Sequence, residues 1–175
     1  MGLEGWELIG DVNQFVECSE YGSNYALTYP QIKTVLVFKQ QVISAISTLP
    51  EDGGALPVGA LFGKEIDALN GETKRILCTD FVSQKYIANR GYDYDTDASV
   101  KYKTLLGSRL SPLGKYKVAR GTVQKLTNFD ELLLKNIPPD QILCIITGTM
   151  LGSQTAFLKN QDLSHIGIGV VIDIE

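Results

Sequence analysis

The clearest pattern in the chain lies near its end. Ile166, Ile168, Val170, Ile172 and Ile174 alternate with Gly167, Gly169, Val171, Asp173 and Glu175. A period of two predicts a strand with one buried face and one small or polar face. Thr34-Val35-Leu36-Val37-Phe38 predicts a second strand, rich in β-branched and aromatic residues. Ile142 to Thr147 predicts a strand buried on both faces, and Ile76 to Phe81 a further one. Val100 to Leu106 and Gly114 to Gln124 predict two strands joined by residues 107–113. Trp6-Glu7-Leu8-Ile9 reads as a short strand or a helix end passing into one, and residues 11–31 as a long connection containing Gly22 and Pro30. Helical spacing occurs at Val42, Ala45, Ile46 and Leu49, stopped by Pro50. It recurs at Phe62, Ile66 and Leu69, where Asn70-Gly71 predicts a C-cap. Thr127 to Leu134 opens with a capping signature and predicts a short helix ending before Pro138-Pro139.

About seven strands against three short helices predict an α+β fold, β-rich and mostly antiparallel. The breaker-rich stretch Glu51-Asp52-Gly53-Gly54-Ala55-Leu56-Pro57 marks a boundary. It separates a small strand-hairpin-helix unit at 1–50 from a main β-rich domain at 51–175, unless the two are continuous. No internal repeat or low-complexity tract is present. At 175 residues, with 44% hydrophobic and 21% charged residues, the chain can build its own core. That composition excludes a disordered chain, a collagen-like repeat and a disulfide mini-protein.

The opening Gly2-Leu3-Glu4-Gly5-Trp6-Glu7-Leu8-Ile9, followed by Val35-Leu36-Val37-Phe38-Lys39, resembles a small uncharacterised domain family of bacteria and phages with a Gly-x-Glu-Gly-Trp-Glu-Leu signature. The resemblance covers about 40 residues, lacks that family's first strand and most of its helix, and implies only a fold fragment. In it Gly5 ends a helix, Trp6 anchors the core and Leu8 enters the next strand. Ser111-Pro112-Leu113-Gly114 looks like the strand-loop that precedes the catalytic segment of murein L,D-transpeptidases. Those enzymes then need a His and a Ser-x-Gly-Cys nucleophile motif; here Cys144 sits in Ile-Leu-Cys-Ile-Ile and His165 comes after it, so their activity is not carried over.

The net charge of -4 is unevenly spread. Residues 1–30 carry Glu4, Glu7, Asp11, Glu17 and Glu20 and no Lys or Arg. Residues 98–126 carry Lys101, Lys103, Arg109, Lys115, Lys117, Arg120 and Lys125 and no Asp or Glu. Such segregation speaks to partners rather than to fold. If both basic stretches are strands, Lys101 and Lys103 share one face and Lys115 and Lys117 another, opposite Tyr102, Leu106, Tyr116 and Val118. An antiparallel pairing then gathers four lysines on one surface, with Arg109 at the tip. Lys101, Lys103, Arg109, Lys115 and Lys117 are therefore the candidate residues for an anion or a partner. A phosphate-bearing small molecule, or the acidic segment of a second copy, would counter them. Nucleic acid is disfavoured, because the isoelectric point is about 5.1 and no nucleic-acid motif is present.

Other chemistries have weaker support. Cys18, Cys78 and Cys144 are far apart and read as reduced, buried thiols. Cys144 with the single histidine, His165, is a conceivable nucleophile pair, but nothing in the spacing orients the imidazole. Asp93, Asp95 and Asp97 alternate as in a calcium loop, yet Ala98 and Thr104 stand where Gly and Glu are needed. The glycines at 53–54 and 148–152 match neither a P-loop nor a dinucleotide fingerprint. No metal and no cofactor is expected. The start has no secretory signature, no window is long and apolar enough to span a membrane, and a cytoplasmic place, or a virion if the chain is phage-encoded, is expected. The expectation is a non-enzymatic assembly or binding protein, structural in kind. It would form homo-oligomers through sheet edges and complementary charged faces. The alternatives are a binder of a small anionic ligand such as a nucleotide, and a hydrolase or transferase with an unrecognised site.

Overall fold

The structure, a computed structural model, describes residues 34–51, 56–69, 73–87, 91–120, 126–148 and 154–173. The opening signature, the acidic segment 1–30, Cys18, Gly53-Gly54, Asn70-Gly71, the end of the expected 114–124 strand and the glycine stretch at 149–152 lie outside the described residues.

Nine strands and three helices follow in the described chain. They are β1 (Thr34–Lys39), α1 (Gln40–Ser47), β2 (Val58–Leu69), β3 (Thr73–Ser83), β4 (Lys85–Ile87), β5 (Gly91–Asp93), α2 (Thr96–Leu106), β6 (Ser111–Val118), α3 (Asn128–Asn136), β7 (Ile142–Ile146), β8 (Gln154–Lys159) and β9 (His165–Asp173). Seven strands close into a barrel in the order β1-β3-β2-β6-β7-β8-β9, and β4 pairs with β5 as a separate ribbon. The fold is α+β and β-rich. Its barrel is mixed: β1 runs parallel to both β3 and β9, and β6 parallel to β7, while β2·β3, β2·β6, β7·β8 and β8·β9 are antiparallel. The parallel pairs arise where a helix intervenes in the chain, since a parallel neighbour needs a crossover that a tight turn cannot supply. Thus α3 carries the chain from β6 to β7.

The barrel interior is filled by side chains. Leu36, Phe38, Ile76, Cys78, Tyr116, Ile142, Cys144, Ala156, Ile168, Val170 and Ile172 form one buried cluster, which Val42, Ile43 and Ile46 of α1 join. Both β1 and α1, before the expected boundary at 50/51, therefore belong to the barrel. Residues 34–38 of β1 are all buried, as befits a strand covered on both faces. Two satellite clusters seat the other helices on the outside. Leu133, Leu134 and Ile137 of α3 pack on Leu143, Ile145 and Phe157. Half-buried Ala98, Tyr102 and Leu105 of α2 pack on Ala60, Phe62 and Val82.

Two expectations are corrected. Residues 58–69 form a strand, not a helix with Phe62, Ile66 and Leu69 on one face. Ladders on both sides, from β3 and β6, override the local spacing, and Ala60 and Phe62 share one face at a period of two. Residues 96–106 form helix α2, not a strand. Asp95 caps it, its Oδ1 accepting from the Ala98 N–H at 2.8 Å, and Ala98, Tyr102 and Leu105 recur at helical spacing.

Close approach requires glycine at several points, Gly59 and Gly114 among them. A Cβ on Gly59 would stand 2.4 Å from the Tyr116 ring, and Gly114, at φ +142°, would place one 1.8 Å from the Ile142 carbonyl oxygen. Leu113, beside Gly114, is the extra residue of a bulge against β2, which lets Leu113 and Tyr116 both face the core. Among the described residues, positions 64–69 of β2 carry a ladder on the β3 side alone, and no helix is long and apolar enough to cross a membrane.

The packed interior makes a direct prediction. Ile168 is 1% exposed and points into the barrel. Ile168→Asp buries an unpaired charge and should cost several kcal/mol. A thermal melt checks this: the variant should be unfolded or strongly destabilised, whereas an unchanged midpoint would place that face in solvent.

Candidate functional site

The five basic candidates divide into two groups. On β6, Tyr116 points inward, so Lys115 and Lys117 point outward together, as the strand pattern requires. Lys117 is 12% exposed and its ammonium lies 2.5 Å from Oδ1 of Asp130, itself 2% exposed, with the Phe129 ring 5.6 Å away. Asp130 is fixed by its place in α3. Its Oδ2 accepts from the Thr127 N–H and its own N–H donates to the Thr127 hydroxyl, a reciprocal cap. Lys115 donates to Oε1 of Gln84 at 3.2 Å, and burial lowers its ammonium's pKa. These two lysines are held by the fold.

The other three lie on α2 and the loop after it. A helix turns about 100° per residue, so Lys101 and Lys103 stand about 200° apart around the axis and do not share a face. Lys101 flanks the barrel, its ammonium 4.8 Å from the Phe81 ring centroid. Lys103, in the last turn, and Arg109 are exposed. The expected four-lysine face is thus not formed, because its first half is helical. Two surface grooves, of about 270 and 350 Å³, lie elsewhere, and none of the five residues lines either of them.

Cys144 and His165 are not brought together. Cys144 faces the barrel interior, while His165 is exposed and meets the outward ring of Phe157 edge-on at 5.5 Å. Burial raises the pKa of the Cys144 thiol, and of Cys78 beside it in the core, which disfavours the thiolate. Asp95 serves as the α2 cap, Asp97 lies in that helix's first turn, and Asp93 accepts from the Tyr94 N–H. Among the described residues no group of three or more His, Cys, Asp or Glu is placed to hold a metal. The sequence reading missed Asp130 and Gln84 as partners of the β6 lysines. Asp130 had a signal, its position three after Thr127, whereas Gln84 had none, being 31 residues from Lys115.

No family model and no curated protein matches the chain. Solved structures do. A protein of Desulfitobacterium hafniense is 12% identical at a TM-score of 0.52, over 80% of this chain and 94% of that one. A protein of Salinibacter ruber is 16% identical at 0.48, over 81% and 91%. A JAB1/MPN domain protein of Archaeoglobus fulgidus is 8% identical at 0.44, over 78% and 98%. The first likeness shows a shared fold alone.

Two outcomes follow from this geometry. Lys117→Met leaves the Asp130 carboxylate buried without its counter-charge and should cost about 3–5 kcal/mol in urea unfolding. A loss near zero would mean that the pair is solvated. Cys78 and Cys144 should resist iodoacetamide in the native protein and react in urea, with peptide mass spectrometry locating the label. Native labelling of either would contradict their seats in the core.

Proposed function

We propose that the protein is a non-enzymatic assembly module whose contact surface is the outward side of α2, and that its partner is the acidic segment 1–30 of a second copy. One observation carries this reading. Helix α2 has no fully buried residue, and it exposes Val100 at 61% and Leu106 at 47% beside Lys103, with Arg109 in the loop that follows. Exposed apolar residues with Lys103 and Arg109 beside them suit a protein contact better than a solvated face, and Asp97 in the first turn is the helix's one carboxylate. Charge complementarity selects the partner. From Ala98 within α2 to residue 126 there is no carboxylate, and residues 1–30 have no Lys or Arg. Opposed fields of this kind steer and register association.

The experiment is light scattering at two salt concentrations. The Debye length falls from about 10 Å at 0.1 M to about 3 Å at 1 M, so an association driven by these charges should weaken sharply with salt. Lys103→Glu with Arg109→Glu should give a monomer at low salt with an unchanged melting temperature, since both side chains are exposed. A wild-type monomer at low salt, or a double variant that associates like wild type, defeats the proposal.

A further inference from the structure

The larger groove lies at one end of the barrel, where α1 ends, β2 begins and the β4–β5 ribbon leaves β3. It encloses about 350 Å³, at the lower end of the range for small-molecule sites. Leu49, Leu56, Pro57 and the Tyr92 ring line it as an apolar wall, and Ser83, Gln84 and Lys85 add polar groups.

Those polar groups are oriented by contacts outside the groove. The Gln84 N–H donates to the Val58 carbonyl at 2.8 Å, which pins its backbone. The Gln84 side-chain oxygen accepts from Lys115 at 3.2 Å. An ammonium can only donate, so the carboxamide cannot flip, and its NH2 group is directed away from Lys115. Tyr116, whose hydroxyl burial pushes up to about 12, donates to the Ser83 oxygen at 3.4 Å. That leaves the Ser83 hydroxyl hydrogen to donate elsewhere. Lys85 is exposed at the same edge. Of the two carboxylates of the rim, Glu51 pairs with Arg120, and Asp95 keeps its charge while capping α2, whose N-terminal dipole offsets part of it. Three neighbouring side chains therefore offer donors, with the Lys115 ammonium behind them, against an apolar wall.

We infer that this groove is a binding site for a small organic oxyanion, a carboxylate or phosphate ester with a flat apolar body. The body lies against Tyr92, Leu56 and Pro57, and the oxyanion accepts from the Gln84 NH2, the Ser83 hydroxyl and Lys85. Charge-assisted hydrogen bonds of this type are the strong ones, and a wall on one side makes the head group alone insufficient. The site shares no residue with the outward side of α2, so its fate is separate from that of the assembly surface.

The test is calorimetric titration of the full chain with phenyl phosphate and with benzoate, the two head-group sources, beside inorganic phosphate and phenol as the isolated halves. At least one of the two whole probes should bind saturably and about tenfold or more tighter than either half. Gln84→Glu is the decisive variant. It keeps an oxygen towards Lys115, and so keeps the fold, but replaces the donor by a carboxylate that repels the ligand. It should abolish binding without lowering the melting temperature. If that variant is destabilised, Lys85→Met, at an exposed position, should still weaken binding about tenfold, while Lys64→Glu, exposed on β2 and outside the groove lining, should leave it unchanged. Failure of both whole probes to bind, affinity no better than that of the halves, or wild-type binding by the Gln84→Glu or Lys85→Met protein overturns the inference.

Discussion

Strand β9 carries two ladders in succession. Residues 165–168 run antiparallel to β8, and residues 169–173 run parallel to β1. That change of neighbour closes the sheet, and the rest of the molecule is arranged around the closure. The inward side of β9, with Ile168, Val170 and Ile172, faces a space that Phe38, Tyr116 and Ile142 fill from the other strands. A closed sheet leaves few free edges, so its exposed chemistry must come from outward side chains, helices and the ends of the barrel.

This geometry explains why basic residues close in sequence differ in role. Strand alternation around the buried Tyr116 sends Lys115 and Lys117 outward, where α3 and Gln84 meet them. Lys117 becomes part of the seat of α3 through the capping carboxylate Asp130. Lys103, on a helix packed by one side only, stays exposed. The same inward and outward alternation keeps the Cys144 thiol in the core and His165 on the surface. Lys115 has a second consequence, because it fixes the orientation of Gln84 at the mouth of the barrel-end groove.

Strong local signals were legible. The alternation from Ile166 appears, over the described residues to Asp173, as β9, the β-branched run at 34–38 as β1, the helical stripe from Val42 as α1, and the capping signature at Thr127 as α3. The α2 segment carried two readable patterns at once. Tyr102 and Leu106 alternate compatibly with a strand, whereas Ala98, Tyr102 and Leu105 after Asp95 have helical spacing and a cap. Weighing the cap would have separated them, because an Asp oxygen on the third N–H has no counterpart in a strand. At the candidate site, the shared face of Lys115 and Lys117 was readable from alternation, but their partners came from other elements.

The sequence by itself determined the α+β class, most of the strands and two of the three helices, because alternation, β-branching and caps act over a few residues and need no partner. Only the tertiary structure decided that 58–69 is a strand, since its helical spacing yields to ladders from β3, the next strand in the chain, and from β6, well beyond it. It alone decided which neighbours run parallel and that β9 returns to β1 to close the barrel. It also decided which lysines are held and which are exposed. The closure and the parallel neighbours depend on pairings between residues tens of positions apart, where the backbone hydrogen bonds carry no side-chain signature to read in advance.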